Sequence, residues 1–181
     1  MFQNQKKTFL EKTDKSIKKE IDKEIFRLVE KINKKENYYT TSSCAGRILL
    51  MEGEKKPSKW IYISHQCADA LEITRIIKEY AGKKDIWFRI EPMILHVRCK
   101  DLESAQLLVN ASRNLGFKRT GIQSTKNIFV EISSSEIINA IVIKNGAQIV
   151  DENYLKTIVE EANTKLKQNA EKINKLAKIF C

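Results

Sequence analysis

The stretch Tyr38-Tyr39-Thr40-Thr41-Ser42-Ser43-Cys44-Ala45-Gly46-Arg47, which runs directly into Ile48-Leu49-Leu50-Met51, decides how the middle of the chain folds. A strand in an ordinary core carries bulky apolar residues at every second position, but the first ten residues here are mostly small and polar. The apolar run that follows predicts a buried strand. Gly46 allows the backbone to approach a ligand closely, and Arg47 can pair with an anion or stack on a base. We therefore predict a binding loop over residues 42–47, carried by a rigid strand.

The composition limits the class of protein. With 181 residues, 42% of them hydrophobic and 31% charged, the chain is long enough for one well-buried core. We predict a single domain over residues 1–181, with a flexible tail at 1–13 and the folded part at 14–181. No apolar run approaches the ~20 residues of a membrane span, and the N-terminus lacks the apolar centre of a signal peptide. We therefore expect no membrane partner.

Charge and cysteine content point to a polyanionic partner and a reducing compartment. The 33 Lys and Arg exceed the 23 Asp and Glu by ten, which favours nucleic acid, although a biased genome composition would produce the same excess. The four cysteines are far apart and form no C-x-x-C pair, so we expect no metal site and a cytoplasmic location. The chain has neither a G-x-G-x-x-G nor a G-x-x-x-x-G-K-[ST] motif, which disfavours Rossmann and P-loop proteins.

The spacing of apolar residues predicts the order of helices and strands. Spacings of three and four predict helices over residues 14–35, 67–80, 102–115 and 152–179. Between them, shorter apolar or alternating runs predict strands, in a strand–helix–strand–strand order that occurs around residues 60–98 and again around 94–132. We predict an α+β fold (an α/β-type mixed sheet). Its duplicated units share one mixed or antiparallel sheet, flanked by N- and C-terminal helices, and it is not Rossmann-like.

Two histidines are the candidates for proton transfer. His65 follows a predicted strand, and His96 shares one face of its strand with Ile94 and Arg98, while alternate residues fill the other face. Imidazole is the side chain best suited to proton transfer near neutral pH. A histidine taken alone is more often structural, on a solvated sheet face or as a satisfied core residue. Cys44 has no base beside it in sequence, so we do not expect it to act as a nucleophile.

A basic turn, Gly116-Phe117-Lys118-Arg119-Thr120-Gly121, forms a second unusual segment. Lys118 and Arg119 can contact phosphate, and Phe117 can either stack on a base or pack in the core.

Six segments carry a family resemblance: Tyr39-Thr40-Thr41-Ser42-Ser43-Cys44-Ala45-Gly46-Arg47-Ile48, Trp60 to Ser64-His65, Glu91-Pro92-Met93-Ile94-Leu95-His96-Val97, Asp101 to Ala105-Gln106, Gly116-Phe117-Lys118-Arg119-Thr120-Gly121-Ile122 and Val150-Asp151-Glu152-Asn153-Tyr154. In order and spacing, from about Asp14 to the C-terminus, the chain resembles the tRNA wybutosine-synthesizing protein 3 family. Ala45 departs from the pattern, since many members carry Ser there.

The resemblance implies an enzyme that uses S-adenosylmethionine to methylate tRNA-Phe. The implied substrate is the tricyclic guanosine derivative 3′ of the anticodon, methylated on ring nitrogen 4 during wybutosine synthesis. The implied fold is an unusual α/β arrangement, in agreement with the missing glycine motif.

Roles for the candidate residues follow from that resemblance as hypotheses. The ring nitrogen carries a proton in the precursor, so a general base would help the reaction, and we nominate His65 and His96 without preference. The cofactor's amino-acid end or the modified base would contact the polar segment, at Ser42, Ser43, Cys44, Gly46 and Arg47. The tRNA backbone would contact Arg98, Lys118 and Arg119. Ser42 and Ser43 could instead only satisfy local backbone groups.

Two other functions fit the same residues. A non-catalytic module that binds the tRNA anticodon loop would have the same net charge and basic turns. A duplicated structural domain would use its histidines and polar segment for protein contacts.

Overall fold

The computed structural model describes residues 1–11, 21–53 and 58–180. The helices are α1 (Phe2–Leu10), α2 (Lys23–Lys34), α3 (Ala70–Lys78), α4 (Leu102–Asn114) and α5 (Glu152–Ile179). The strands are β1 (Tyr38–Cys44), β2 (Arg47–Glu52), β3 (Lys59–Ser64), β4 (Ile86–Glu91), β5 (Ile94–Cys99), β6 (Gly121–Ser124), β7 (Phe129–Ser133), β8 (Ile138–Lys144) and β9 (Ala147–Gln148). In the described part of the chain, no helix is both long and apolar enough to cross a membrane.

The chain divides into two compact units. Unit 1 comprises Met1–Ala45, Met93–Ser135 and Asn169–Cys181, and unit 2 comprises Gly46–Pro92 and Glu136–Gln168. The prediction of a single domain over residues 1–181 stays a prediction.

Unit 1 is built on an antiparallel sheet with the strand order β1-β5-β7-β6. One face of this sheet packs on α2, α4 and the end of α5, whose apolar side chains form a continuous core with those of β5 and β7. Leu95, Val97 and Cys99 point into this core, as the alternation of β5 predicts.

Unit 2 is built on a second antiparallel sheet with the order β3-β2-β4-β8-β9. Ile48, Leu50 and Phe88 are fully buried, and their core is completed by α3 and the first part of α5. The Asn163 side chain fastens α5 to the start of α3 by bonding both the N–H and the carbonyl of Ala68, at 2.8 and 2.9 Å.

The α+β class and antiparallel pairing are confirmed, but the strands form two sheets instead of one. The predicted repeat at 94–132 is present as β5-α4-β6-β7 in a single sheet. The repeat at 60–98 is divided, since β3 and β4 belong to unit 2 while β5 belongs to unit 1. Pro92 lies at the division; it has no N–H to donate, so ladder pairing does not run through it.

The N-terminal segment is a helix where a flexible tail was predicted. Phe2 and Phe9 lie seven positions apart on α1, and their rings stand 5.4 and 5.5 Å from the ring of Tyr39. Two turns of helix bring both rings to one side, so a single buried tyrosine anchors the helix.

Helix ends follow the sequence signals where the chain is described. Asp101 caps α4 by accepting the N–H of Ser104 at 2.8 Å, and Gly116 ends that helix with φ of 93°. The first part of the predicted helix at 14–35 lies outside the described residues, and α2 begins at Lys23 after the N-cap Asp22. The predicted bounds of α5, residues 152–179, are confirmed.

Candidate functional site

The predicted binding loop is mostly strand. Ser42, Ser43 and Cys44 are the last residues of β1, and Arg47 is the first residue of β2. The connection consists of Ala45 and Gly46, where Gly46 has φ of 96°, a conformation that L side chains rarely adopt. Ser42, Ser43 and Cys44 are therefore held by backbone pairing with β5, and Arg47 by pairing with β4.

One face of the unit 1 sheet collects several of the predicted site residues in two rows. Ser42, His96 and Glu131 lie opposite one another across β1, β5 and β7. Tyr39, Arg98 and Phe129 form the next row, two residues away, or about 6.8 Å along a strand. Both rows lie on the face opposite the core, so the predicted grouping of His96 with Arg98 on one face is present.

The His96 ring is held by a carboxylate and an aromatic edge. Its Nε2 lies 3.0 Å from Oε2 of Glu131, and its ring stands 5.7 Å from that of Phe129 in an edge-on arrangement. The His96 side chain is 31% exposed, so it can reach a ligand on this face. A carboxylate accepts but does not donate when ionised, so Nε2 of His96 is the donor in this bond.

The other two residues of the polar segment in unit 1 point to different sides. Ser43 lies opposite the buried Leu95, on the core side of the sheet, while Cys44 lies opposite Ile94 on the same face as His96. Both are half-buried.

Ala45 is fixed by two side chains from distant parts of the sequence. Its N–H donates to Oδ2 of Asp22 at 2.9 Å, and its carbonyl accepts from Nδ2 of Asn169 at 2.6 Å. Asn169 is 1% exposed, and its Oδ1 accepts from the hydroxyl of the buried Ser134 at 2.9 Å. Both backbone hydrogen-bonding groups of Ala45, its N–H and its carbonyl, are therefore paired with side chains.

In unit 2, three predicted residues meet around the start of β2. The Nδ1 of His65 lies 3.0 Å from the carbonyl oxygen of Gly46. Because a carbonyl only accepts, Nδ1 is the donor in this hydrogen bond. Arg47 follows directly, and its Nε donates to Oε2 of Glu91 at 2.7 Å.

The guanidinium of Arg47 is also stacked on an aromatic ring. It lies 4.6 Å from the ring centre of Trp60, which is 42% exposed. Unit 2 therefore presents a cation, a carboxylate and an open indole surface within one cluster. These three groups suit an amino-acid zwitterion attached to an aromatic ring system.

The residues predicted to contact tRNA lie in unit 1 and differ in burial. Lys118 and Arg119 are exposed in the connection between α4 and β6, where the neighbouring Phe117 is fully buried. Phe117 therefore packs in the core and does not stack on a base. Arg98 is half-buried, and its Nη1 is buried with no hydrogen-bond partner among the described residues.

Burial also sets the chemistry of one thiol close to this site. Cys99 is 1% exposed on the core side of β5, and loss of water around the thiolate raises the pKa of the thiol to about 12. Cys99 is therefore a structural residue.

The sequence reasoning missed the partners of the predicted residues. These partners form the hydrogen bonds described above: Glu131 with His96, Glu91 with Arg47, and Asn169 with the carbonyl of Ala45. An acidic residue inside the otherwise apolar β7 was the one available signal for Glu131. Nothing local marks Asn169 as buried, because the surrounding helix is rich in polar residues.

Comparison with known proteins identifies the class. Residues 4–180 match the family model described as Methyltransferase TYW3. A relative from Pyrococcus horikoshii, named tRNA(Phe) 7-((3-amino-3-carboxypropyl)-4-demethylwyosine(37)-N(4))-methyltransferase 1, is 39% identical over 97% of this chain and 92% of its own length. A Danio rerio relative, named tRNA wybutosine-synthesizing protein 3 homolog, is 33% identical over 97% of this chain and 73% of its own.

A solved structure agrees with the sequence relatives. The PH1069 protein from Pyrococcus horikoshii superposes with a TM-score of 0.90 at 37% identity, covering 99% of this chain and 96% of that one. The fold is therefore that of an α+β methyltransferase outside the Rossmann class. The chain belongs to the Methyltransferase TYW3 family, as its sequence motifs indicated. Its activity accordingly requires a methyl donor.

Proposed function

We propose that the protein transfers a methyl group from S-adenosylmethionine to ring nitrogen 4 of the tricyclic guanosine derivative 3′ of the anticodon in tRNA-Phe, a step of wybutosine synthesis. The observation that carries the proposal is the 39% identity to a relative that is named for this reaction and matched over 92% of its length. The net charge of +10 is in keeping with an RNA substrate.

The methyl donor is assigned to the unit 2 cluster. An amino-acid end carries a carboxylate and an ammonium group, which are complementary to the Arg47 guanidinium and the Glu91 carboxylate. Since the Arg47–Glu91 bond uses Nε, the Nη edge of Arg47 would contact the donor. The exposed ring of Trp60 offers a stacking surface for adenine. When bound, S-adenosylmethionine would supply the methyl group on its sulfonium sulfur: the ring nitrogen attacks the methyl carbon in line, and the thioether sulfur leaves.

His65 is the favoured acceptor of the proton that the ring nitrogen loses as its bond to the methyl carbon forms. It lies beside Gly46 and Arg47, and its bond to the Gly46 carbonyl fixes the orientation of the imidazole ring. His96 is the second candidate, with Glu131 orienting its ring.

The unit 1 face is assigned to the RNA. Ser42 is exposed beside His96 and can bond a base of the RNA, while Lys118 and Arg119 contact the backbone phosphates. Backbone contacts of this kind should make binding fall steeply with salt.

Single-turnover methylation of tRNA-Phe whose tricyclic base lacks the methyl group on nitrogen 4 tests the assignment of the general base. The two histidines serve as matched controls for one another. We expect His65→Ala to slow the reaction by about 10²- to 10⁴-fold, the usual contribution of a general base, and His96→Ala to slow it less. If both variants react at the wild-type rate, neither imidazole is the base.

Calorimetric titration with S-adenosylmethionine tests the donor site. Arg47→Lys keeps the charge but loses the planar guanidinium, so we expect donor affinity to fall while affinity for tRNA is kept. Arg75→Lys, on the exposed side of α3, is the matched control. A wild-type protein that does not bind the donor would be a tRNA-binding module and would refute the proposed function.

A further inference from the structure

A cavity of about 640 Å³ lies within unit 1, between helix α1 and the outer face of the sheet. Its floor is the row Tyr39, Arg98 and Phe129. One side of α1, including Phe9, forms a wall, and Asn127 of the β6–β7 turn borders it. The volume falls within the range of sites that hold small molecules or single residues of a polymer.

The charge of the cavity favours an anion. Nη1 of Arg98 is buried and has no hydrogen-bond partner among the described residues. A buried donor of a charged group without an acceptor costs free energy that a bound anion would recover. Among the residues that the structure describes, those that line the cavity include no Asp or Glu. Since a guanidinium matches phosphate in geometry, phosphate is the natural partner of Arg98.

The aromatic side chains around the cavity favour binding of a nucleic-acid base. The half-buried rings of Phe9 and Phe129 provide two aromatic surfaces beside the buried Tyr39, and the Phe129 ring also lies 5.7 Å from that of His96. Unpaired bases of RNA are typically bound by stacking on such rings, with amides at their polar edges, and Asn127 supplies an amide here. Along β5 and β7, the row Tyr39, Arg98 and Phe129 lies two residues from the row Ser42, His96 and Glu131.

We propose that this cavity binds one nucleotide of the substrate RNA, adjacent to a base at Ser42 and His96, with its phosphate on Arg98 and its base beside the rings of Phe9 and Phe129. The inference rests on the proposed function for the identity of the RNA. The methyl donor fits poorly here, because the described lining offers no carboxylate for its ammonium and sulfonium groups, whereas the unit 2 cluster offers Glu91. Helix α1 is then part of the RNA-binding surface.

The test is binding of a fluorescent anticodon stem-loop of tRNA-Phe, measured by anisotropy over a range of salt. Arg98→Gln should weaken binding by about 10- to 100-fold and reduce the slope of log K against log salt by about 0.7. Phe9→Ala should weaken it by at least about fivefold. Because Phe9 also anchors α1 on Tyr39, Asn127→Glu provides a variant on an exposed turn, where the added negative charge should repel the phosphate.

The controls are Arg75→Gln for loss of charge and Leu10→Ala for a change on α1 outside the cavity. Donor affinity is measured on every variant, and methylation on the wild type. If the wild type methylates and the three cavity variants bind the RNA as it does, the nucleotide site is refuted. Loss of donor affinity in Arg98→Gln would also refute it, since the cavity would then hold the donor. A wild type that does not methylate refutes only the proposed function.

Discussion

Replacement of Asn169 by Ala should destabilise the protein strongly, although the residue is polar and lies on the long helix α5. Asn169 is 1% exposed and joins three segments, bonding the Ala45 carbonyl and the Ser134 hydroxyl at 2.6 and 2.9 Å. Truncation to Ala removes the amide, so the Ala45 carbonyl and the Ser134 hydroxyl stay buried without their bonds to Asn169. An unsatisfied buried group costs about 1–3 kcal/mol, and the serine hydroxyl can rotate, so we expect a loss of about 2–4 kcal/mol.

The assay is urea unfolding, with thermal melting as a second measure. For a chain of this length, about 2–4 °C of melting temperature corresponds to 1 kcal/mol, so the midpoint should fall by roughly 5–15 °C. Asn153→Ala, at an exposed position of the same helix, is the matched control and should change stability by less than about 0.5 kcal/mol. An effect of Asn169→Ala as small as that of the control would refute the reasoning.

Two further variants test the cause. Ser134→Ala and Asn169→Ala remove the same hydrogen bond, so the double variant should lose less stability than the sum of the single losses. Asn169→Asp places a buried carboxylate against the Ala45 carbonyl, which raises the pKa of the new carboxyl group in the folded state. Its protonation is then favoured by folding, so the stability deficit should shrink as pH falls from 7 to about 4. A deficit that does not change with pH would contradict this account.

Two other predictions concern the thiols and a helix end. Iodoacetamide at pH 8 should modify the exposed Cys67 in the native protein and leave Cys99 unmodified, since burial raises the pKa of the Cys99 thiol to about 12. Peptide mass spectrometry checks this, and equal labelling of both without denaturant would contradict it. Gly116→Ala should cost about 1–2 kcal/mol in urea unfolding because φ is 93° there. Gly121→Ala, where an added methyl group meets open space, should cost less than about 0.5 kcal/mol, and equal losses would exclude backbone strain as the cause.

Local signals in the sequence predicted much of the secondary structure. The bounds of α5, the cap at Asp101 and the end at Gly116 depend on contacts between near neighbours in sequence. The alternation along β5 likewise follows from strand geometry, and it correctly separated the face of His96 and Arg98 from the core face.

Interactions between distant residues explain the predictions that failed. Apolar patterns show that a strand exists but do not show which strand it pairs with, so one shared sheet was expected where two are present. Helix α1 carries few apolar residues, and its rings gain a partner only when β1 presents Tyr39. The predicted loop at residues 42–47 is mostly strand, since pairing with β5 outweighs the low strand preference of small polar residues.

The sequence by itself determined the family, the types of most helices and strands, and the chemical groups available for catalysis and RNA binding. These properties are carried by residue identity and by spacing along the chain. Only the tertiary structure decided how those groups are held. Glu131 reaches His96 from 35 residues away, and Asn169 reaches Ala45 from 124 residues away. Such bonds form because buried polar groups must find partners wherever the fold places them, and no local pattern encodes that choice.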